Sequence, residues 1–390
     1  MLLLSEVVSL ATRICTSHNF YDSYSERLKF TMWPPLKTLQ LKFLFPVLIA
    51  RASFWLHGPY VYALYETYGL QKAEIAVLFT SFFLSAGLLG IPLGSAADRY
   101  GRKKLVEASC VMLMVGSFTT IFKNYYLLLF GRILTGASFS LLSSFEAWFV
   151  NEASKRSCPT SYYFKVYSLI HVLDCVQAIL LGILARRVSL GYGFVSPFMC
   201  ALLFSFIVLL LVHFTWHEPA AETTKARGSN ILVAARILHK DRRILSLSLQ
   251  QVFFETAVQA FIFLWTPALM STFGESVRLD VVFAGLMVSS SLGSFLFARV
   301  VQPSSALESF PSKVIMVATV CLLLPFLEEG VLSLLAFFIF QFCCGMYYPC
   351  MASLRSQYLP ELSRCSIMSI ALCFQQIMIY FLITKVYFHT

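Results

Sequence analysis

The sequence predicts an all-α membrane protein that crosses the bilayer many times. Of its 390 residues, 58% are hydrophobic and 13% are charged, whereas soluble domains contain about 45–50% apolar and about 25% charged residues. Such a surplus of apolar side chains needs lipid to cover it, because a soluble surface does not carry patches of that size. The apolar residues also gather in segments of about 20, the length that a helix needs to span a bilayer.

A long polar and basic connector separates six apolar segments from the five that follow. The predicted spans cover residues 43–65, 73–94, 105–122, 125–150, 164–185, 194–216, 244–269, 281–300, 314–327, 331–351 and 367–386. The ninth of them is short. The expected organisation is an amino-terminal tail (1–42), a six-helix bundle (43–216), a central loop (217–243) and a five-helix bundle (244–390).

Basic residues are concentrated on one side of the predicted membrane. With the amino terminus in the cytoplasm, cytoplasmic segments hold 22 of the 30 Lys and Arg residues, the opposite side holds six, and Arg51 and Arg132 lie inside spans. The positive-inside rule assigns the richer side to the cytoplasm, so the tail and the central loop are predicted to be cytoplasmic. We expect the plasma membrane, with an intracellular membrane as the alternative.

Several function classes are not supported by the sequence. No run of five or more basic residues occurs, so the net charge of +10 does not indicate nucleic-acid binding. Most of the eleven cysteines lie inside apolar spans, where they are expected to act as packing residues. No catalytic motif and no phosphate-binding loop is present. We therefore expect neither an enzyme nor a nucleotide-driven pump, and no metal or other cofactor.

The connector after the second span carries a recognisable motif. From Gly94 to Lys104 it reads Gly-Ser-Ala-Ala-Asp-Arg-Tyr-Gly-Arg-Lys-Lys, which resembles the signature loop of the major facilitator superfamily. Gly131-Arg132-x-x-x-Gly136 resembles the second motif of that superfamily. The resemblance implies two helical bundles that rock around a central site. It also implies a twelfth span, whereas this sequence shows eleven.

Four separated motifs narrow the resemblance to the eukaryotic molybdate-anion transporter family. They are Trp55-Leu-x-Gly58-Pro59-Tyr60-x-Tyr62-x-Leu64-Tyr65, Phe145-Glu146-Ala147-Trp148, Phe254-Glu255 with Phe263-Leu264-Trp265-Thr266-Pro267, and Cys344-Gly345-Met346-Tyr347-Tyr348-Pro349 with Pro360-Glu361. The resemblance implies molybdate or a similar oxyanion as the solute. The sequence departs from the family at Phe54, where an acidic residue is usual, and at His57, where a Gln is usual.

A polar stripe in the seventh span is the first candidate for a solute or proton pathway. Gln251, Glu255 and Gln259 are spaced i, i+4, i+8, so they share one face of a helix. A carboxylate inside the membrane is costly and is expected to face a cavity or a partner. Glu255 is predicted to bind a proton, or to serve as the counter-charge of Arg132; a structural hydrogen bond between helices is the alternative.

Arginines in the first and fourth spans are candidate anion ligands. The planar fork of Arg132 suits a tetrahedral oxyanion, and a snorkelling or helix-packing arginine is the alternative. Glu146, near the inner end of the same span, is a further candidate pathway residue. It lies about 21 Å from Arg132 along the helix, so the two are not expected to pair. Arg51 is expected to assist Arg132.

Aromatic residues and a Gly-Pro pair follow Arg51 along the first span. Trp55 and Tyr62 are predicted to line the pathway beside it. Gly58-Pro59 breaks the backbone hydrogen-bond pattern and either exposes carbonyl groups to the solute or only kinks the helix. His57 and the pair His171 and Asp174 are expected to have structural roles.

Charged residues at the cytoplasmic ends of spans two to four are predicted to control gating. The set consists of the charged residues Asp98, Arg99, Arg102 and Glu152, together with Gly101. Opposite charges at adjacent helix ends can link the helices, and in the superfamily this loop closes the inner side and opens during the transport cycle.

The predicted function is secondary active transport of a small anion, molybdate above others, by alternating access. The expected partners are the anionic solute, protons and the lipid bilayer. Two alternatives remain. The same fold could carry a sugar or an organic acid, or the protein could be a membrane receptor or scaffold that transports nothing.

Overall fold

The computed structural model describes residues 34–58, 60–218, 231–273, 279–300, 307–327 and 330–388. Within these ranges the regular structure is helical, and no strand occurs in them. Met1–Lys42 and Phe43–Thr390 are separate compact units, and the contacts described below lie within the second. The predicted tail therefore falls largely outside the described residues, as does Pro59.

Nine helices lie in the described residues before the central connector. They are α1 (Pro34–His57), α2 (Val61–Thr67), α3 (Lys72–Leu88), α4 (Gly90–Tyr100), α5 (Arg102–Thr119), α6 (Tyr125–Ser140), α7 (Leu142–Lys155), α8 (Thr160–Tyr192) and α9 (Ser196–Thr215).

Six helices and a short 3-10 helix (Glu361–Ser363) lie in the described residues from 231 onward. They are α10 (Ile231–Lys240), α11 (Arg242–Phe273), α12 (Leu279–Val300), α13 (Phe310–Leu327), α14 (Val331–Tyr358) and α15 (Arg364–Phe388).

Each predicted span coincides with a helix or with two helices separated by a short break. The first span is α1 with α2, broken after His57. The second is α3 with α4, which bend by 40°, and the fourth is α6 with α7, separated at Leu141. Several helices continue past the predicted ends, and α14 does so as far as Tyr358. Hydropathy detects only the apolar part of a helix, whereas the backbone hydrogen bonds continue into polar flanks.

A helix also forms inside the segment predicted as the central loop. In α10, Ala234 and Leu238 are buried against Ile244, Ile367 and Met368. Residues 219–230, which precede α10, lie outside the described residues.

The surface of the molecule is apolar along the spans. Phe214, Met316 and Phe381 are more than 60% exposed, as expected of side chains that face lipid. Eight described helices are long and apolar enough to cross a bilayer, and the bent pair α3–α4 makes nine. Helix α5 is not among them, because its first turns hold several charged residues. Helix α13 is not among them either, because its apolar part is short.

The close packing of two long helices, α15 and α8, sets the geometry of the polar groups described below. Helix α15 packs along α3 and α4, and α8 packs on α12 and α14. Gly94 of α4 lies so close to α15 that an added Cβ would meet the Ser369 hydroxyl at 2.0 Å. Small residues allow such close approach in membrane bundles. We call the end of the spans that carries the Gly94–Lys104 loop the motif end.

Candidate functional site

Arg51, in the last third of α1, forms an ion pair with α8. Its Nη1 donates to Asp174 Oδ2 at 2.7 Å, and the Trp55 indole donates to Asp174 Oδ1 at 3.1 Å. The Gln177 amide donates to the same oxygen at 2.8 Å. The Arg51 side chain nevertheless remains 40% exposed. We call these four residues the Arg51 cluster.

The Arg51 cluster lies beside polar groups of the later helices. His171, one turn before Asp174, hydrogen-bonds the Ser290 hydroxyl of α12 at 3.0 Å. Its ring also stacks on Tyr348 of α14, with the ring centroids 5.3 Å apart. His171 and Asp174, a possible pair by their spacing, therefore face different partners.

A second polar cluster surrounds Arg355 of α14. Its Nε and Nη2 donate to the two carboxylate oxygens of Glu146 at 3.1 and 2.8 Å, and Nη1 donates to Gln251 at 3.3 Å. Glu255 lies next to Arg355 and accepts hydrogen bonds from Gln251 and from Gln375 of α15. We call these five residues the Arg355 cluster; it joins α7, α11, α14 and α15.

The charges of the Arg355 cluster do not balance when both of its carboxylates are ionised. Arg355 supplies one positive charge, and Glu146 engages it through two direct bonds while both side chains are only 13% exposed. Glu255 then contributes a second negative charge. Arg364 of α15, which is buried and also interacts electrostatically with Glu146, lies outside this group of five residues. Within the group, a proton bound to Glu255 removes the second negative charge.

Tyr348 lies between the two clusters. It interacts electrostatically both with Glu255 and with the Arg51–Asp174 pair. Tyr348 is therefore within electrostatic range of both clusters.

Arg132 belongs to neither cluster. Its guanidinium lies over the rings of Phe79 and Phe82, with the central carbon 5.3 and 4.8 Å from the ring centroids, and the residue is 8% exposed. It borders a small cavity with His57 and Tyr65. The expected pairing of Arg132 with Glu255 is not formed, because the cation beside Glu255 is Arg355.

At the motif end, Asp98 binds the first turn of α15. Its carboxylate accepts hydrogen bonds from the backbone N–H groups of Cys365 and Ser366 at 3.1 and 2.8 Å, and from the Ser366 hydroxyl at 2.7 Å. A carboxylate at a helix amino terminus meets unpaired N–H groups and the positive end of the helix dipole. Asp98 thus links α4 to α15.

Arg102 makes a second link at the motif end. Its Nη2 donates to the Glu361 carbonyl at 2.6 Å, and its backbone N–H donates to Glu218 at 3.1 Å. The chain reverses between α4 and α5 at Gly101, whose φ of 105° is unfavourable for residues with a Cβ. The motif therefore contributes a helix cap, a turn and an interhelical cation.

The other expected gating residues are placed differently. Glu152 binds Lys155 and Arg156 within its own helix end, each at 2.7 Å, so it does not bridge to Arg102 among the described residues. Arg99 is exposed and lies over the ring of Tyr100.

Two of the expected pathway residues lie apart from both clusters. Tyr62 is 37% exposed on α2, beyond the break after His57. Gln259 is half-buried on α11 beyond Glu255. Within the described part of the chain, no group of three or more His, Cys, Asp or Glu residues is placed to hold a metal ion.

Sequence reasoning missed Arg355 and the role of Asp174. Arg355 lies beyond the predicted end of its span, so it counted only as one more cytoplasmic basic residue. The one signal for Asp174 was an acidic residue inside an apolar span.

Comparison with known proteins agrees with this architecture. Residues 4–336 match the model of a family described as sugar transporters with 12 transmembrane helices. The molybdate-anion transporter of Xenopus tropicalis is 32% identical over 346 residues, covering 84% of this chain and 74% of the relative. That of Takifugu rubripes is 28% identical over 379 residues, covering 86% and 77%.

Solved structures share the fold. A human organic anion transporter aligns with a TM-score of 0.71 at 13% identity, covering 89% of this chain and 92% of that one. The fucose:proton symporter of Escherichia coli aligns with a TM-score of 0.69 at 16% identity, covering 90% and 91%. The extent of these matches makes the chain a multi-pass membrane transporter of the major facilitator superfamily, and it belongs to the family of the molybdate-anion transporters.

Proposed function

We propose that this protein is a secondary active transporter that carries molybdate, or an oxyanion of the same shape, by alternating access. The observation that carries the proposal is the side chain of Arg51, which is 40% exposed although the residue lies inside a membrane span. Charged groups inside a membrane protein commonly mark a solute or ion pathway. The similar transporters of Xenopus and Takifugu are named for molybdate.

Arg51 is the proposed ligand of the anion. One of its terminal nitrogens binds Asp174, and the guanidinium has further N–H groups in a planar fork that suits oxyanions. Trp55 and Gln177 hold Asp174 from two other sides. The anion would bind at the exposed edge of Arg51 and compete with Asp174 for it.

Glu255 is the proposed proton site. Arg355 compensates Glu146, so an ionised Glu255 leaves a negative charge, and Tyr348 is within electrostatic range of both Glu255 and Arg51. That charge would repel an anion bound at Arg51. Protonation of Glu255 removes the repulsion, which couples proton entry to anion entry.

Contacts at the motif end are the proposed gate. Asp98 and Arg102 hold the start of α15 and the segment before it, and the ion pair between Glu146 and Arg355 joins α7 to α14. These contacts have to break for the solute to leave at that end. We further propose that the motif end and the amino terminus face the cytoplasm, and that the protein resides in the plasma membrane.

Uptake of labelled molybdate into cells that lack their own uptake system tests the solute and its ligand. We expect uptake with the wild-type chain, weakened affinity with Arg51→Lys, which loses the fork, and no uptake with Arg51→Met. Arg187→Met removes an exposed arginine from the far end of α8 and is the matched control, with unchanged uptake. Arg132→Ala tests the alternative ligand. If Arg132→Ala loses molybdate binding while Arg51→Met binds molybdate normally, the anion is bound by Arg132 and not by Arg51.

A sugar is the principal alternative solute, because the matching family model is described as one of sugar transporters. A panel of oxyanions, sugars and organic acids in a thermal-shift assay separates these classes, since a ligand that binds the folded state raises its stability. A shift with a sugar and none with molybdate would overturn the proposed solute. Absence of flux for every member of the panel would favour a receptor.

A further inference from the structure

A small cavity lies among the first helices, away from both polar clusters. It is lined by residues of α1, α2, α5, α6 and α9, including His57, Tyr65, Thr135 and the guanidinium of Arg132. Arg132 is 8% exposed and Tyr65 is 1% exposed. The cavity is therefore part of the protein interior, and one of its walls carries a full positive charge.

This buried charge lacks a carboxylate partner among the described residues. The polar contact of Arg132 with the protein is a long one, from Nε to the Leu78 carbonyl at 3.4 Å. The rings of Phe79 and Phe82 add cation–π attraction, which neutralises no charge. A buried arginine without a counter-charge is strongly destabilising.

The donors that face the cavity suit an anion. Arg132 contributes guanidinium N–H groups, and the Tyr65 hydroxyl lies within electrostatic range of them. That hydroxyl has no hydrogen-bond partner among the described residues. The hydroxyls of Thr119 and Thr135 instead donate to the carbonyls of Gly116 and Arg132.

The size of the cavity restricts the ligand. The space among these side chains is smaller than the about 300–1,000 Å³ of a typical ligand pocket. A monatomic halide is only slightly larger than a water molecule, so it needs little of this space.

We propose that this cavity binds one chloride ion as the resident counter-charge of Arg132, held by the guanidinium and by the Tyr65 hydroxyl. The ion is distinct from the transported solute and stabilises the fold of the first helices. The inference does not depend on which solute is carried.

Thermal unfolding of the purified protein tests the site. Chloride is titrated against gluconate at constant ionic strength, because gluconate is too large for the cavity. We expect the Tm to rise with chloride by about 2 °C or more for each tenfold step above the dissociation constant. Tyr65→Phe should weaken the apparent chloride affinity by about tenfold, and Arg132→Met should abolish the dependence. Arg51→Met should keep it, which separates this site from the proposed solute site.

Crystals grown with bromide provide a test that needs no variant. An anomalous peak beside the Arg132 guanidinium is expected, and its absence at full bromide exchange would overturn the proposal. The proposal is also overturned if wild-type Tm is the same in chloride and gluconate, which would mean that the cavity holds only water. If the wild-type protein takes up no molybdate but its Tm still responds to chloride, the proposed function is refuted and the chloride site stands.

Discussion

The carboxylate of Asp98 accepts two hydrogen bonds from Ser366, one from the backbone N–H at 2.8 Å and one from the hydroxyl at 2.7 Å. Asp98 is 4% exposed and lies in the last turn of α4, whereas Ser366 lies in the first turn of α15. The two residues are far apart in sequence. A motif that is conspicuous as a local pattern therefore acts through a distant helix, by capping its amino terminus.

Asp98→Asn and Arg102→Ala are expected to reduce turnover far more than solute affinity. Both residues hold the motif end together and lie outside the two polar clusters, so their loss changes the populations of the two transport states. Transport rates in proteoliposomes and equilibrium binding in detergent give the two quantities. A loss of binding equal to the loss of rate in both variants would refute the gating role.

Gly94→Ala is expected to destabilise the protein, by about 1–3 kcal/mol if the helices shift to accept the new methyl group. The added Cβ would lie 2.0 Å from the Ser369 hydroxyl and 2.8 Å from the Cys365 carbonyl. Gly182→Ala is the control, because nothing lies within 4 Å of a Cβ at that helical position. Thermal unfolding in detergent should show a lower Tm for Gly94→Ala only. Equal Tm values would mean that α4 and α15 are not closely packed.

Glu146 and Arg355 are expected to be strongly coupled in a double-mutant cycle. Removing one partner leaves the other charge buried, at a cost of about 3–5 kcal/mol. The double variant Glu146→Gln/Arg355→Met should therefore cost less than the sum of the single variants. Arg243 and Glu308, 3.9 Å apart and at least half exposed, should show a coupling of about 1 kcal/mol or less. Additive single effects at Glu146 and Arg355 would contradict the ion pair.

Glu255→Gln is expected to abolish the pH dependence of uptake while preserving solute exchange. In the wild-type chain, uptake should increase as the pH falls, because protonation of Glu255 removes the negative charge that opposes the anion. The glutamine mimics the protonated carboxyl group at every pH. Uptake and exchange are measured in vesicles over a pH series. Full pH dependence in the variant would place the proton site elsewhere.

The amino terminus and the central connector are expected to share the cytoplasmic side. Single cysteines at Arg227 in the connector and at Lys123 in the turn between α5 and α6 are placed in a background without reactive native thiols. A membrane-impermeant thiol reagent applied to sealed cells should label Lys123→Cys and leave Arg227→Cys unlabelled until the cells are opened. The reverse pattern would invert the proposed topology. The expectation rests on the 22-to-6 distribution of basic residues.

The sequence by itself determined the helical membrane fold and the positions of the spans. Runs of about 20 apolar residues have no other low-energy arrangement than a helix across lipid, because every backbone polar group must be satisfied within its own segment. The Gly94–Lys104 motif and the four narrower motifs were sufficient to identify the family. Glu146, Gln251 and Glu255 were also recognised from the sequence, because polar residues stand out in apolar spans.

Only the tertiary structure decided which charges meet. Asp174 pairs with Arg51 instead of His171, Glu255 lies beside Arg355 instead of Arg132, and Asp98 caps α15 instead of binding its own neighbours. Spacing along a helix shows which residues share a face, but it does not show which helix packs against that face. Helix packing sets the partner of a buried charge, and that partner can be more than 100 residues away in the sequence, as Glu146 and Arg355 are.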